Sequence, residues 1–475
     1  MDEVDIPRQP MDRFSDVFRA DLVAQFTARM EALGERLAGG TIWHVNSTAE
    51  GGGVAEMLQS ILGYPLDCGL HVRWLVLDGN EDFFELTKRL HHLLHGRPGD
   101  NGPLGSEERH RYETTLAANA RELAQMVRPG DAVILHDPQT LGMASALADA
   151  GAHIVWSCHI GADEPNDLTR AAWRFLLPYT ERTARQVFAR RQYGWEGLDP
   201  SRIIVIPPCI DAFSAKNQAL DDATVSSVLE AAGIIAAPTT AAPPAFTRRD
   251  GTIGEVQSRV TMIEDEPLSA DAPIVTQVSR WDPLKDHVGV LRGFCDHGPL
   301  ELGAQLVLAG PTPDSVDDDP ESQEAFADLR DQRDAMKAEG RRRVHIACLP
   351  MADVDENAAI VNALQRRSDL VVQKSLAEGF GLTVAEAMWK GRPTIGSRVG
   401  GIQDQIEPGV SGQLVEPDDL EEFGAAITEL LRGRDTAESL GRAARARVCE
   451  EYLAPQHLDR YFRMLLDVMN EQDGS

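Results

Sequence analysis

Short runs of β-branched and aliphatic residues alternate with amphipathic helical stretches along the first part of the chain. Helices such as residues 54–62 and 82–94 lie between the predicted strands, which are residues 41–45, 72–77, 132–135, 154–157 and 203–206. This alternation is typical of a parallel sheet with helices on both faces. Ligands of such sheets bind beyond the carboxyl ends of the strands, so we expect chemistry in the loops that follow these runs.

The alternation stops at about residue 235, where the sequence becomes rich in Ala, Pro and Thr (AAPTTAAPPAFTRRDG). This composition predicts a mobile linker with an insertion. A second alternating region follows, with predicted strands at residues 274–278, 305–308, 344–347, 370–373 and 394–396.

The whole pattern predicts an α/β protein with two doubly wound, Rossmann-like domains joined by a hinge. Its predicted segments are an N-terminal extension with a first helix (1–40), a first domain (41–234), the insertion (235–272), a second domain (273–454) and a C-terminal helix (455–475). That last helix is amphipathic, and we expect it to cross back and pack on the first domain.

Length and composition agree with this division. The chain has 475 residues, too many for one ordinary core, and its 43% hydrophobic and 25% charged residues are those of a globular protein. No apolar run approaches the roughly 20 residues that span a bilayer, and the acidic start MDEVDIPRQP lacks the features of a signal peptide. These features predict a cytoplasmic protein.

Charge and cysteine usage exclude several classes of function. The formal net charge of −29 would repel nucleic acid and anionic lipid, and the six cysteines lie far apart without a CxxC pair. We therefore expect buried free thiols, and neither a zinc site nor a disulfide framework. A phosphate-bearing ligand would need positive potential supplied locally, so the few basic residues near glycine-rich loops become informative.

The first candidate motif is NSTAEGGG at residues 46–53, between a predicted strand and a predicted helix. Its glycines, Gly51, Gly52 and Gly53, let the backbone approach a ligand closely and direct N–H groups at an anion. A plain turn between strand and helix explains the same glycines. The spacing differs from the GxGxxG of dinucleotide-binding proteins, which argues against a dehydrogenase.

The second candidate motif is SRWDPLK at residues 279–285, at the end of the first strand of the second domain. Arg280 and Lys285 would project into the mouth of a cleft. There a guanidinium and an ammonium group can share a diphosphate and stabilise it as it leaves. A solvated pair of loop cations is the alternative.

The third candidate motif is EGFGLTVAE at residues 378–386, which follows another predicted strand. Gly379 and Gly381 would open a helix whose first N–H groups can hold phosphate oxygens. Glu378 lies before this helix and Glu386 about two turns inside it, so one carboxylate can reach sugar hydroxyls and the other a ribose diol. Alternatively, the first only stabilises the start of the helix and the second is solvated.

Together these motifs resemble the family-4 retaining glycosyltransferases of GT-B fold. More narrowly, the chain looks like the trehalose glycosyltransferring synthases and the related trehalose phosphorylases, over about residues 42–211 and 273–469. The stretches that carry the resemblance are HVNST (44–48) with GGGVAEML, HDPQ (136–139), CHI (158–160), PPCID (207–211), QVSRWD (277–282) and EGFGLTVAEAMWKG (378–391).

The resemblance implies two Rossmann-like domains facing each other across a cleft, and it implies roles for individual residues. Glu378 would contact the donor hexose, Glu386 the nucleotide ribose, and Arg280 with Lys285 the diphosphate. His159 would approach the donor sugar, although a lone histidine at a strand end is more often part of a core. The remaining donor-binding candidates are Gly52, Gly53, Gly379, Phe380, Gly381, Leu382 and Thr383.

The acceptor sugar would be bound by Asn46, Asp137 and Gln139. For Asp137 a second interpretation stays open, because an aspartate after a strand also caps a helix. The acceptor implied by the resemblance is glucose, the donor is a nucleoside diphosphate glucose, and relatives suggest a homodimer. We expect no other cofactor, no metal, no nucleic acid and no membrane partner.

Retention without an evident carboxylate nucleophile predicts front-face substitution, in which the departing phosphate oxygen accepts the proton of the incoming hydroxyl. The run SVDDDPES, with three aspartates at 317–319, has the character of solvated surface and does not predict a metal site. Two rival functions remain. One is a phosphorylase that uses inorganic phosphate, and the other is a sugar-binding regulator without catalysis. The sequence leaves the base of the donor undetermined.

Overall fold

The structure is a computed structural model that describes residues 1–50, 52–235, 242–298, 300–313 and 320–473. The chain divides into two compact units. The first contains the residues up to Cys209 together with those from Ala454 onward, and the second contains Ile210–Leu453.

The first unit is built on a seven-stranded sheet. Its strands are β1 (Asp2–Val4), β2 (Thr41–Asn46), β3 (His71–Val76), β4 (Ala132–His136), β5 (His153–Cys158), β6 (Arg185–Phe188) and β7 (Ile203–Val205). Their spatial order is β1-β3-β2-β4-β5-β6-β7, and all neighbours are parallel except β1, which is antiparallel to β3. Every residue of β4 and β5 is buried, as expected for strands covered on both faces.

Helices cover this sheet on both faces. They are α1 (Ala20–Leu37), α2 (Gly53–Ile61), α3 (Gly63–Asp67), α4 (Glu81–Leu94), α5 (Ser106–Ala124), α6 (Asp137–Thr140), α7 (Ala144–Asp149), α8 (Asp167–Leu176) and, from the end of the chain, α18 (Ala454–Asp473). Short 3-10 helices are Met11–Asp16, Leu141–Met143, Leu177–Thr180, Arg191–Tyr193 and Pro200–Arg202. α18 packs against α1, where Arg29 pairs with Asp459 and the guanidinium of Arg36 donates to the carbonyl of Met469 at 2.8 Å.

The second unit contains another seven-stranded sheet and a separate two-stranded hairpin. The strands are β8 (Ala245–Thr247), β9 (Ile253–Glu255), β10 (Thr261–Ile263), β11 (Ile274–Val278), β12 (Gln305–Pro311), β13 (Val344–Leu349), β14 (Leu370–Gln373), β15 (Thr394–Ser397) and β16 (Gln413–Val415). β8 and β9 form the hairpin, and the sheet has the order β10-β13-β12-β11-β14-β15-β16. Only its edge strand β10 is antiparallel to its neighbour.

The helices of the second unit are α9 (Asp222–Ala231), α10 (His287–His297), α11 (Pro320–Asp334), α12 (Ala338–Arg341), α13 (Val354–Arg367), α14 (Leu382–Trp389), α15 (Ile402–Gln405), α16 (Leu420–Arg432) and α17 (Arg434–Glu451). Two 3-10 helices are Pro283–Lys285 and Leu300–Leu302. The long apolar strand runs form the centre of this unit, as they do in the first, which confirms the predicted Rossmann-like architecture of both halves.

The boundary between the units differs from the predicted one. Residues 210–234, which the sequence analysis placed in the first domain, belong to the second unit because α9 packs against α13. The amide of Asn362 donates to the carbonyls of Ala215 and Gln218 at 3.1 and 2.9 Å, and the indole of Trp389 donates to the carbonyl of Asn217 at 2.9 Å. These buried contacts are long-range, so local composition did not reveal them.

The predicted mobile insertion is an ordered part of the second unit over residues 242–272, whereas residues 236–241 lie outside the described residues. The hairpin and β10 are formed from this segment. Arg248 pairs with Asp353 at 2.7 Å, and the carboxylate of Glu356 accepts from the backbone N–H groups of Gln257 and Ser258. The segment is therefore held on the N-terminal turn of α13.

Two further observations bear on the predictions. All six cysteines are free, three of them buried. In the described part of the chain, no helix combines the length and apolar character that a membrane crossing requires.

Candidate functional site

In the second unit, the EGFG segment forms the turn between β14 and α14. Gly381 has a φ of +84°, a conformation that favours glycine, and it immediately precedes the first residue of α14, Leu382. The N-terminus of α14 therefore lies just beyond the carboxyl end of a central strand, where parallel sheets bind ligands. The backbone N–H of Gly401 donates to the carbonyl of Gly379 at 3.0 Å and fixes the turn from the other side.

Two predicted donor-binding residues of this turn make contacts within the protein. The ring of Phe380 is buried against Tyr452, and its carbonyl accepts from the amide of Gln405 at 2.6 Å. The hydroxyl of Thr383 donates to Gln373 at 3.0 Å. A contact of either residue with the donor stays a prediction. Both residues shape the turn.

The predicted cation Lys285 and the predicted sugar-binding carboxylate Glu378 form an ion pair at the ends of β11 and β14. Both side chains are largely buried, at 16% and 12% exposure. The hydroxyl of Ser375 also donates to Glu378, at 3.3 Å. Arg280 lies on the same loop as Lys285, but its side chain is 69% exposed and its guanidinium is 3.8 Å from Asp282. The structure thus brings Lys285 and Glu378 together and leaves Arg280 open to solvent.

A second ion pair connects the same two loops, but here the cation follows β14 and the carboxylate lies on the loop after β11. Lys374, which follows β14, pairs with Asp286, the residue after Lys285. The Lys374 side chain is 1% exposed, and Asp286 adopts a left-handed φ of +47° while it caps α10 through the N–H of Gly289. The amide of Gln277 links both loops by donating to the carbonyl of Lys285 and accepting from the N–H of Lys374. The backbone around Lys285 is therefore held rigidly.

Glu386 lies inside the second unit and is not solvated, which is contrary to the alternative interpretation of this carboxylate. It is 2% exposed, and its Oε1 lies 3.7 Å from Nζ of Lys216. The ammonium of Lys390, the residue directly after α14, donates to Asn217 at 3.0 Å. Burial lowers the pKa of Lys390 well below its ordinary value, and the charge of Glu386 opposes that shift. A contact between Glu386 and a ribose stays a prediction.

In the first unit, the glycine-rich loop follows β2 and precedes α2. Gly52 has a φ of +92° and lies directly before Gly53, the first residue of α2, so a side chain at this position would be strained. Gly51 lies outside the described residues. Asn46 is 4% exposed, and its amide accepts from Trp74 at 2.8 Å and donates to the carbonyl of Thr48 at 2.7 Å. Asn46 therefore shapes the loop, and its contact with an acceptor stays a prediction.

Asp137 and His159 are brought together at the carboxyl ends of β4 and β5. The carboxylate of Asp137 accepts from the backbone N–H of His159 at 2.8 Å, so the structure shows it bonded to a neighbouring strand end. Asp137 has a φ of +60°, and such strained residues cluster at functional sites. Loss of solvation raises the pKa of Asp137 to about 7, against the opposing effect of the hydrogen bond from His159.

The imidazole of His159 ends a row of three histidines. Nδ1 of His44 lies 3.0 Å from Nε2 of His136, and Nδ1 of His136 lies 3.4 Å from Nε2 of His159. Desolvation lowers the pKa of His44 to about 3 and that of His159 to about 4, and it holds the pKa of His136 well below 6.5. All three rings are therefore neutral at physiological pH.

A fourth histidine, His457 on α18, lies near this row and lines a small cavity with His44 and His136. The other lining residues are mainly apolar, and the cavity of about 20 Å³ holds at most one water molecule. It is too small for a sugar. His159 does not line this cavity, and its side chain is partly exposed.

Gln139 lies on α6, two residues after Asp137. Its Oε1 is buried and has no hydrogen-bond partner among the described residues. A buried carbonyl oxygen without a partner costs free energy, so it favours a ligand that donates a hydrogen bond to it. A sugar hydroxyl would do so. The contact of Gln139 with an acceptor stays a prediction.

The depressed histidine pKa values predict that acid destabilises the first unit. The unfolded chain protonates His44, His159 and His457 near pH 6.5, whereas burial holds their pKa values in the folded unit at about 3 to 4, so stability falls as the pH drops below 6.5. Asp137 has the opposite effect on stability, because its carboxyl in the folded unit already binds a proton below about pH 7. Its contribution offsets the loss of stability from one histidine. We expect a loss on the order of 1 kcal/mol per pH unit for each net proton.

Urea unfolding at pH 7 and pH 5 measures this effect, and tryptophan fluorescence reports on the first unit because five of the seven tryptophans lie in it. The exposed His71 provides a control, since His71→Asn should keep the same dependence on pH. Equal stability at both pH values would contradict the assignment of neutral, desolvated rings.

Several site residues were missed by the sequence analysis. His44 and His136 appeared only as parts of motifs, and no motif singled out Lys374, Asp286 or Tyr461 of α18, whose hydroxyl lies 2.7 Å from Ser157 Oγ. The spacing of His44 and His136 after two predicted strands was the available signal, because carboxyl ends of neighbouring parallel strands meet at one edge. Nothing in the local sequence indicated the other three, whose partners lie 88 or more residues away.

Comparison with known proteins agrees with this geometry. Residues 44–194 match the family model described as trehalose synthase, N-terminal domain, and residues 259–447 match the model of glycosyl transferases group 1. The chain is 32% identical to a trehalose synthase of Rubrobacter xylanophilus, over 95% of this chain and 97% of that protein. It belongs to the trehalose synthase family. A trehalose synthase of Pyrococcus horikoshii is 31% identical over 94% of both chains.

Among solved structures, an α,α-trehalose-phosphate synthase (UDP-forming) of Burkholderia xenovorans in complex with glucose-6-phosphate superposes with a TM-score of 0.64. It covers 90% of this chain and all of that one at 14% identity, so the likeness concerns the fold. The GT-B class predicted from the sequence is confirmed, as is the resemblance to trehalose synthases. The family model boundaries leave the N-terminal segment and part of the insertion unmatched.

Proposed function

We propose that this member of the trehalose synthase family transfers glucose from a nucleoside diphosphate glucose to a sugar acceptor, glucose, and forms trehalose with retention of configuration. The observation that carries the proposal is the pairing of Lys285 with Glu378 beside the exposed Arg280, at the carboxyl ends of β11 and β14. Two cations and a carboxylate at the N-terminus of α14 suit a sugar attached to a diphosphate. The names of the relatives support trehalose as the product.

In the proposed reaction, the bond between the anomeric carbon and the diphosphate oxygen breaks while the acceptor oxygen bonds to the same carbon. The acceptor hydroxyl gives its proton to the departing phosphate oxygen, so no protein base is needed. Arg280 and Lys285 neutralise the charge that develops on the leaving group. When the diphosphate draws Lys285 toward it, Glu378 is released to accept hydrogen bonds from hexose hydroxyls.

The first unit would bind the acceptor. Gln139 presents an oxygen without a protein partner among the described residues, and Asp137 has a raised pKa beside His159. We assign the acceptor contacts to Gln139 and Asp137 and a contact with the transferred sugar to His159. The cytoplasmic location and the dimeric state stay predictions.

Product analysis tests this function. The full-length protein is incubated with ADP-, UDP- or GDP-glucose and with glucose or other small sugars, and products are identified by mass and by the NMR of the anomeric linkage. We expect an α,α-linked disaccharide and release of the nucleoside diphosphate. Formation of glucose 1-phosphate from trehalose and inorganic phosphate, without activity on any nucleotide-sugar, would instead establish the phosphorylase. Binding of nucleotide-sugar without turnover would favour a regulator.

We also propose that the reaction needs no metal ion. The cations Arg280 and Lys285 can supply the positive charge that a metal supplies in other transferases. Activity is expected to persist after dialysis against EDTA, with turnover within about twofold of the untreated protein. The control is addition of magnesium or manganese to the dialysed protein. Loss of activity in EDTA that either ion restores would contradict the proposal.

A further inference from the structure

Two hydrogen-bonded paths end at the same ring nitrogen of His159. One begins at Tyr461 on α18, whose hydroxyl lies 2.7 Å from Ser157 Oγ, and Ser157 Oγ lies 3.2 Å from Nε2 of His159. The other is the row of His44 and His136, whose last nitrogen lies 3.4 Å from the same Nε2. Nδ1 of His159 has no hydrogen-bond partner among the residues that the structure describes.

In the first path, the donor and the acceptor of each hydrogen bond follow from the number of protons available. Tyr461 is 5% exposed and Ser157 is 1% exposed, and in the described part of the chain Ser157 is the only hydrogen-bond partner of the phenol. A buried hydroxyl whose proton finds no acceptor costs about 1–3 kcal/mol. Tyr461 therefore donates to Ser157, which leaves the Ser157 proton for His159. Nε2 of His159 is then an acceptor and carries no proton.

The histidine row is compatible with the same direction. The single lone pair of Nε2 of His159 accepts from Ser157 at 3.2 Å, and the longer contact of 3.4 Å with Nδ1 of His136 adds at most a weak second interaction. The opposite tautomer would direct a proton from Nε2 of His159 toward Ser157 or His136. Whichever of Ser157 and Tyr461 then donated to the other, one of the two buried hydroxyl protons would be left without an acceptor among the described residues.

We propose that Tyr461 and Ser157 are positioning residues that hold His159 in the Nδ1–H tautomer, so that the nitrogen left for substrate is a hydrogen-bond donor. The ring is neutral because loss of solvation lowers the pKa of His159 to about 4. As a donor, His159 binds a sugar hydroxyl oxygen and does not remove the acceptor proton. The binding of a sugar hydroxyl by His159 rests on the proposed function, whereas the tautomer of His159 does not depend on it.

The proposal gives the C-terminal helix a chemical role. The hydroxyl of Tyr461 on α18 reaches Ser157 of β5, across 304 residues of sequence. The phenol is desolvated, which raises the pKa of Tyr461 and keeps its proton in place. A helix that returns from the end of the chain thus orients a side chain at the end of a central strand.

The test combines NMR and kinetics on the full-length protein labelled with 15N-histidine. The His159 signals are identified by their loss in His159→Asn. In the unmodified protein we expect Nδ1 of His159 to be protonated and Nε2 not. Tyr461→Phe removes only the phenolic oxygen, so the two tautomers should become mixed, and kcat should fall about tenfold while the KM for nucleotide-sugar is unchanged.

Tyr179→Phe is the matched control, because Tyr179 is a tyrosine of the same unit whose hydroxyl contacts Glu113 and Arg109. It should leave the His159 signals and kcat unaltered. If Tyr461→Phe fails to fold, Ser157→Ala tests the same path and should also mix the tautomers. A single unchanged Nδ1–H tautomer in both variants, or an Nε2–H tautomer in the unmodified protein, would overturn the proposal. A changed tautomer with normal turnover would leave it intact and refute the catalytic role of His159.

Discussion

Replacement of Arg280 or Lys285 by alanine is expected to lower turnover by about a hundredfold or more. Each cation faces charge that appears on the diphosphate only as the glycosidic bond breaks, and a fixed donor of this type is worth about 3–4 kcal/mol in a transition state. Steady-state kinetics with nucleotide-glucose measure kcat separately from KM. Loss of transition-state stabilisation lowers kcat, whereas loss of ground-state binding alone raises KM.

The two replacements differ in what else they change. Lys285→Ala leaves the largely buried Glu378 without its ion-pair partner, so its stability must be measured alongside its activity. Arg280 is 69% exposed, and Arg280→Ala removes charge with little effect on folding. Arg434→Ala is the control, since this arginine of the same unit is 89% exposed on α17. Near-normal kcat in both variants would remove the proposed diphosphate site.

The second large effect is expected at the ion pair of Lys374 and Asp286. Asp286→Asn keeps an oxygen that can cap Gly289, and asparagine tolerates the left-handed backbone, so the change removes charge alone. It leaves the ammonium of Lys374 buried at 1% exposure without a counter-ion. Breaking a buried pair in this way costs about 3–5 kcal/mol, which urea unfolding of the second unit would show.

A double-mutant cycle separates the pair from its surroundings. Lys374→Met leaves Asp286, which is 19% exposed and still bonded to Gly289, so it should cost less than Asp286→Asn. The double variant should recover much of the loss, because neither charge is then left unpaired. Glu438→Gln breaks an exposed pair on α17 and should change stability by less than about 1 kcal/mol. Equal stability of Asp286→Asn and the unmodified protein would contradict this account.

Much of the fold and part of the site could be predicted from the sequence. The buried strands β4 and β5 were evident because a strand covered on both faces is a continuous apolar run. The resemblance to family-4 glycosyltransferases implied that Lys285 and Glu378 contact one donor, and the structure places the two side chains together beyond strands of one parallel sheet. The sequence did not reveal the hydrogen-bond partners that polar side chains acquire in the folded protein. Asn46 is an example, since Trp74 and Thr48 already occupy its amide.

The sequence by itself determined the two Rossmann-like halves, the glycine turns before α2 and α14, and the family, because these depend on local periodicity, backbone freedom and motif spacing. Only the tertiary structure decided the place of residues 210–234, the order in the insertion, and the partners of Lys374 and Tyr461. Those features depend on contacts between residues that are far apart along the chain. The pattern of neighbouring residues does not specify which distant residue pairs with a buried charge or accepts a buried proton.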